Sequence, residues 1–223
     1  LDNKRGIYPY RDWVVRSFND NLTLDDFLVW QLAGDLLPEP TLAQRVATGF
    51  VRMNPSTAEG GAIPAEFQAK NNFDRVENLG TSLLGLSLVC ARCHTHKYDP
   101  VTQTEYYRLL AFFNNTAEAS MDGNKYEYAP NVRAPSDQTA WKEWEILKKK
   151  RTSLLKEADK AEAEAHGKWA KASEQERFKL LANPEPKALD LQRRATETAK
   201  SLAATEKKFT TTLVAKELAK PRV

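Results

Sequence analysis

Apolar side chains recur at every third or fourth position along most of the chain, which is the period of an amphipathic helix. Two kinds of helix-start signal precede the apolar runs of the first half: a proline suited to a first turn, and a capping box in which Thr is followed by Gln or Glu. These signals are Pro9, Pro64, Thr41 with Gln44, and Thr102 with Glu105. The alternation of apolar and polar residues that is typical of strands is almost absent. The pattern therefore predicts an all-α fold.

Two halves of different composition suggest two domains. Residues 1–121 are aromatic and mixed, and they predict an irregular multi-helix domain with long loops, whose longest helix begins at Pro64 and runs to about Leu84. Residues 122–138 contain the Gly, Asn and Pro of a linker. Residues 139–223 are highly charged and rich in Ala.

The charged half carries two apolar seams at helical spacing, separated by a double-proline break at 183–186. The first seam consists of Trp144, Leu147, Leu154, Ala158, Ala161 and Ala165, and the second of Leu191, Ala195, Thr198, Leu202, Thr205, Phe209 and Thr212. This arrangement predicts an antiparallel, coiled-coil-like helical hairpin.

Charge and hydropathy narrow the range of partners. The chain has 33 basic and 30 acidic residues, interspersed, and this weak basic balance argues against nucleic acid as a partner. No apolar run reaches the roughly 18 residues of a membrane span. The chain starts at Leu1 rather than Met, which is consistent with a processed or excised segment.

The most informative motif is Cys90-Ala91-Arg92-Cys93-His94, which has the C-x-x-C-H spacing of c-type haem attachment. On a helix, Cys90 and Cys93 would share one face, where their thiols could each form a thioether with a haem vinyl group. His94 follows directly and can bind the iron from below the ring. The motif therefore predicts one covalently bound haem c.

Three other interpretations of the motif are open at this point. A zinc site needs about four ligands, whereas Cys90, Cys93, His94 and His96 are crowded together and the other histidine is His166. A thioredoxin-like redox pair expects a strand leading into a helix. A structural disulfide with so short a gap would be uncommon.

The second axial ligand of the iron is harder to identify. Met53, in a predicted loop, is the candidate among the two methionines, and Met121 is favoured less. His96 is too close to His94 to reach the opposite face of the ring, so we expect it to hydrogen-bond a loop or a propionate. Asp74 and Arg75 are expected to form a buried ion pair; the alternative is that they hold a haem propionate.

The residues around the motif resemble the planctomycete cytochrome domain PSCyt2, also called DUF1549, over roughly residues 5–118. The matching segments are YRDWV (10–14), QLAGDLLP (31–38), ATGF (47–50), EGGAIP (59–64), DRV (74–76), CARCHTHKYDP (90–100), EYY (105–107) and AFFNN (111–115). The resemblance implies haem attachment at Cys90 and Cys93 with His94 as the iron ligand. It also implies an exported, periplasmic setting in a larger protein that carries a further cytochrome domain and a PSD1 (DUF1553) domain. Some relatives have a histidine at the position of Asn54.

The leading functional hypothesis is an electron-transfer module within that larger exported protein. The first alternative is a haem-dependent oxidative enzyme with an open distal site, linked to carbohydrate breakdown. The second is a structural or interaction module in which the hairpin docks a partner. The resemblance establishes no reaction, because no activity is established for the family.

Overall fold

The computed structural model describes residues 6–57, 59–121, 129–177, 186–220 and 222. The chain forms two compact units. The first contains the described residues of Leu1–Ala134 and Thr211–Val223, and the second is Pro135–Thr210. Residues 211–223, which the sequence analysis assigned to the hairpin, thus cluster with the first unit.

The first unit is built from short helices, as the sequence predicts. Its α-helices are α1 (Tyr8–Asn19), α2 (Leu24–Ala33), α3 (Leu42–Ala47), α4 (Pro64–Leu79) and α5 (Gln103–Phe113). Two 3₁₀ helices, Thr48–Arg52 and Val89–Arg92, and a π-helical turn, Gly80–Leu84, connect them. A two-stranded sheet pairs β1 (Asn131–Ala134) with β2 (Thr210–Leu213).

Both predicted capping boxes are confirmed. The Thr41 hydroxyl accepts from the backbone N–H of Gln44, and the Gln44 side chain accepts from the backbone N–H of Thr41, at the start of α3. Thr102 and Glu105 make the same reciprocal pair at the start of α5. Each box satisfies backbone donors that the first helical turn leaves open, so these helix starts are set by local sequence.

The core of the first unit lies between α4, α5 and the 3₁₀ helix at 89–92. Val76 and Ala91 are fully buried there. The other buried members of this cluster are Val51, Leu79, Leu88, Tyr106, Phe113 and Ala215. Removal of this apolar surface from water is the main force that holds the helices together.

A buried charge network crosses this core. Arg75 on α4 forms an ion pair with Glu118 at 2.5 Å, and both side chains are only 2% exposed. Its guanidinium also donates to the Val51 carbonyl at 2.8 Å, to the Asn54 side chain at 3.2 Å and to the Thr116 hydroxyl at 3.0 Å. The expected pairing of Arg75 with Asp74 is wrong: Arg75 pairs with Glu118, which comes from a distant segment of the chain.

The small sheet was not predicted. Its strands are only four residues long, and β2 lies in the segment that the sequence analysis placed on a helical seam ending at Thr212. The run Thr210–Thr212 is β-branched and therefore favours an extended backbone. The buried Arg52 guanidinium donates to the carbonyls of Pro130 and Val214, which anchors the ends of both strands.

The second unit is the predicted helical hairpin. Its helices are α6 (Gln138–Lys171) and α7 (Pro186–Glu206). The buried seam residues are Trp144, Leu154, Ala158, Ala161, Leu191, Ala195, Thr198 and Leu202. Trp144 donates to Glu206 at 3.0 Å while Gln192 donates to Glu162, so the start of α6 lies beside the end of α7 and the pair is antiparallel. The predicted break at 183–186 falls mostly outside the described residues.

None of the described helices combines the length and the apolar composition that crossing a membrane requires.

We predict that Glu118→Gln lowers the free energy of unfolding of the first unit by about 3–5 kcal/mol, because it leaves the Arg75 charge buried without its counter-ion. The measurement is urea unfolding followed by amide hydrogen exchange in α4. The matched control is Glu66→Gln, which removes an ion pair with Lys70 whose two side chains are half exposed. We expect a change of less than about 1 kcal/mol in that control, and an equally small change in Glu118→Gln would contradict the prediction.

The same pair predicts a dependence of stability on pH. Burial disfavours the charged form of Glu118, but the guanidinium of Arg75 and the hydroxyl of Thr116 outweigh it and hold the pKa of Glu118 below its ordinary value. The pair's contribution is therefore complete above the ordinary glutamate pKa of about 4.3 and is lost as pH falls through the lower, folded-state pKa. The difference in free energy of unfolding between wild type and Glu118→Gln, measured by urea titration, should therefore shrink as the pH falls below about 4.3. A difference that stays constant down to acid pH would argue against this assignment.

Candidate haem-attachment site

The C-x-x-C-H motif lies on a separate short turn and not at the end of the long helix. The predicted helical run from Pro64 to Leu84 is present, although its geometry changes: α4 ends at Leu79, and Gly80–Leu84 continues it as the π-helical turn. Gly85 then adopts a left-handed conformation with φ of 66°, which ends the helical run and reverses the chain. Residue 80 must also be small, because a Cβ there would lie 2.6 Å from the side chain of Leu88.

The side chains of the 3₁₀ helix Val89–Arg92 and its flanking residues form two rows: an inner row that faces the core and an outer row that is exposed. Residues three apart on a 3₁₀ helix lie above one another. Leu88 and Ala91 face the core and are 4% and 0% exposed. Cys90 and Cys93 are exposed free thiols on the outside. The backbone N–H of Cys93 donates to the carbonyl of Cys90 at 3.4 Å, which keeps the two cysteines in register.

Helix α5 and α4 hold this turn in place. The carbonyl of Arg92 accepts from the Tyr107 hydroxyl at 3.0 Å and from the Gln103 side chain at 3.3 Å. The Arg92 guanidinium stacks 3.7 Å from the ring centre of Phe73 on α4. Arg92 therefore fastens the turn to both helices and is engaged in packing rather than directed freely into solvent.

His94 presents one ring nitrogen to the outside. Its Nδ1 lies 2.8 Å from the backbone carbonyl of Thr95, and the ring is exposed. A carbonyl can only accept, so this partner assigns the proton to Nδ1 and leaves the lone pair on Nε2. A ring oriented in this way is suited to bind a metal through Nε2.

His96 is occupied by its own loop, as the sequence analysis expected. Its Nδ1 accepts from the backbone N–H groups of Tyr98 at 3.2 Å and Asp99 at 2.7 Å. Nε2 must then carry the proton, and it lies 3.5 Å from the Asp99 carboxylate. Neither nitrogen of His96 offers a lone pair to a metal, so this residue shapes the loop after the motif.

The structure places Met53 at the end of the 3₁₀ helix Thr48–Arg52, where its side chain is 48% exposed. Its assignment as the second axial ligand stays a prediction. The neighbouring Asn54 is buried, and its side-chain oxygen accepts from Arg75. Asn54 is thus part of the ion-pair network of the core.

Two of the alternatives to haem attachment can be compared with the described part of the chain. There, no group of three or more His, Cys, Asp or Glu side chains is placed to hold a metal ion, and a structural zinc site needs four ligands. The motif follows a helical turn and not a strand, unlike a thioredoxin-like redox pair. The donor set that is present, two adjacent thiols and an imidazole with a free Nε2, fits a covalently attached haem.

Comparison with known proteins identifies the family. The sequence model of PSCyt2, described as a protein of unknown function (DUF1549), matches residues 1–118, and the chain belongs to this family. The matched region covers most of the first unit, including the motif. No curated protein matches the chain, and no solved structure matches it.

We predict that Ala91→Leu destabilises the first unit by about 1–3 kcal/mol, because the fully buried site has no room for a larger side chain. It should also raise the alkylation rates of Cys90 and Cys93 as the turn loosens. Thermal unfolding and thiol-modification kinetics are the measurements. Val89→Leu is the matched control, since Val89 is 47% exposed, and its effect should stay within about 0.5 kcal/mol. Equal stability of the two variants would show that Ala91 does not anchor the turn.

Proposed function

We propose that this chain is a c-type haem-binding electron-transfer module of a larger exported protein. The observation that carries the proposal is the outer row of the 89–94 turn. Two exposed thiols lie in register there, and the imidazole that follows them has Nε2 free. Cys90 and Cys93 would hold the haem by thioethers, and His94 would bind its iron through Nε2.

The haem, when bound, supplies a one-electron redox centre. The protein's part is to position that centre and to tune it. The Thr95 carbonyl, by accepting from Nδ1 of His94, fixes the orientation of the ring and leaves Nε2 available. Leu88 and Ala91 anchor the turn in the core, so that the attachment residues move little when the oxidation state changes.

The proposed exported setting and partner domains are supported by the family and by the sequence. PSCyt2 membership and the resemblance to exported planctomycete proteins favour a periplasmic setting. Further cytochrome and PSD1-type domains of the same polypeptide are the proposed redox or structural partners. The hairpin α6–α7 carries charged outer faces, which suit a solvated spacer between such domains.

The thioether bonds between haem and the two cysteines are tested first. The protein is produced in the periplasm of a host with a c-type maturation system, denatured and extracted with acidified organic solvent. We expect wild type to retain its haem and to give a c-type pyridine haemochrome spectrum. The Cys90→Ala/Cys93→Ala variant should lose the haem on extraction, and His94→Ala should lose the low-spin spectrum of the native state.

A matched histidine control distinguishes loss of the proposed iron ligand from the general effect of removing a histidine. His166→Ala, in the exposed part of α6, should leave haem content and spectrum unchanged. Haem that leaves the wild-type protein on denaturation would refute the proposal, and so would a double cysteine variant that still retains it.

The second axial ligand is tested with the two methionines. If Met53 binds the iron, Met53→Ala should lower the reduction potential and allow carbon monoxide to bind the reduced protein, because thioether ligation raises the potential and closes the site. Redox titration and the visible spectrum under carbon monoxide are the measurements. Met121→Ala is the control and should change neither. A wild-type protein that already binds carbon monoxide would exclude Met53 as the ligand and favour the enzymatic alternative with an open site.

A further inference from the structure

A haem bound as proposed would lie on the exposed side of the cysteine turn. The inner side is filled, because Leu88 and Ala91 are 4% and 0% exposed in the core. A porphyrin is mainly apolar and carries anionic propionates at one edge. A ring held by the turn alone would leave much of its apolar surface in water, which is unfavourable. Another segment of the chain is therefore expected to cover part of the ring.

The loop of residues 95–101, which begins directly after His94, is closed by its own hydrogen bonds. The N–H of His96 donates to the carbonyl of Val101 at 2.9 Å, so the two ends of the loop are joined. Inside the loop, Nδ1 of His96 accepts from two backbone N–H groups, one of which is that of Tyr98 at 3.2 Å. The loop therefore holds a defined shape close in sequence to the proposed iron ligand.

This loop presents an aromatic ring and a cation side by side. Tyr98 is 83% exposed, more than any other large apolar side chain among the described residues. The ammonium group of Lys97, which is also exposed, lies 5.4 Å from the centre of the Tyr98 ring. The large apolar surface of an aromatic ring contributes most when another group covers it. The two side chains together match a ligand that has an apolar body and an anionic edge.

We infer that the loop 95–101 forms a second wall of the haem site, in which Tyr98 packs on the porphyrin and Lys97 pairs with a propionate. This inference rests on the proposed haem attachment and adds two binding residues to the three of the motif. Contact between the aromatic ring and the porphyrin would remove apolar surface of both from water. The ammonium group would donate charge-assisted hydrogen bonds to the propionate.

The first test compares acetylation by N-acetylimidazole, which modifies tyrosine and lysine side chains, in two forms of the full chain. One is the wild-type protein with haem attached, and the other is Cys90→Ala/Cys93→Ala purified without haem. Peptide mass spectrometry gives the rate at each residue. We expect the rates at Tyr98 and Lys97 to be several-fold lower in the haem-loaded protein.

Two residues of the same types serve as internal controls for this comparison. Tyr8 on α1 is 39% exposed, and Lys70 on α4 is half exposed beside Glu66. Their acetylation rates should be equal in the two forms, which also shows that the double variant keeps the fold. A second measurement needs no variant: the reduced, haem-loaded wild type should give nuclear Overhauser effects between the Tyr98 ring and haem protons.

Substitutions then test the role of each side chain in proteins that carry covalent haem. Tyr98→Ala should lower the reduction potential, because water that reaches the ring favours the more charged, oxidised iron. Tyr98→Phe keeps the ring and should keep the wild-type potential. Lys97→Gln should also lower the potential, since it removes a positive charge beside the haem. Lys70→Gln is its matched control and should leave the potential unchanged.

The outcomes distinguish this inference from the proposed function. Covalent haem together with unchanged acetylation of Tyr98 and Lys97 would overturn the second wall and leave haem attachment intact. The absence of Overhauser effects between Tyr98 and the haem would do the same. A wild-type protein without covalent haem would refute both.

Discussion

The buried ion pair between Arg75 and Glu118 connects parts of the first unit that are far apart in the sequence. A guanidinium taken out of water is costly unless nearly all of its donors are satisfied. Here α4 supplies the charge, while Val51, Asn54 and Thr116 supply acceptors from the chain before and after it. These segments must all be in place together for the network to close. An arginine suits this role better than a lysine, because its planar fork can donate in several fixed directions at once.

The same core determines how the cysteine turn is presented. Leu88 and Ala91 belong to the apolar cluster that surrounds Arg75, and the 3₁₀ geometry then directs Cys90 and Cys93 outward. The proposed attachment would thus use exposed side chains on a backbone whose other face is buried. The arrangement combines accessible thiols with a rigid support, which is a requirement of any site that must hold a bulky group in one orientation.

Local signals in the sequence were followed closely by the structure. The starts of α3 and α5 coincide with their capping boxes, and eight of the predicted seam residues of the hairpin are buried. Non-local features were missed. The helical run from Pro64 to Leu84 changes from α to π geometry after Leu79, beside Leu88, and it ends at the left-handed Gly85. The strand Thr210–Leu213 has only four residues, and it forms because β1, far away in the sequence, provides its hydrogen-bond partners.

The sequence by itself determined the all-α class, the helical hairpin and the cysteine–histidine motif, because each depends on residues within a few turns of one another. Only the tertiary structure decided that Arg75 pairs with Glu118, that His96 is occupied by its own loop, and that an apolar cavity exists beside Val51 and Phe113. That cavity is lined by α2 and the residues after it, by α5 and by the C-terminal segment. Such sites arise from the packing of distant segments, and no local pattern of residues encodes which segments meet.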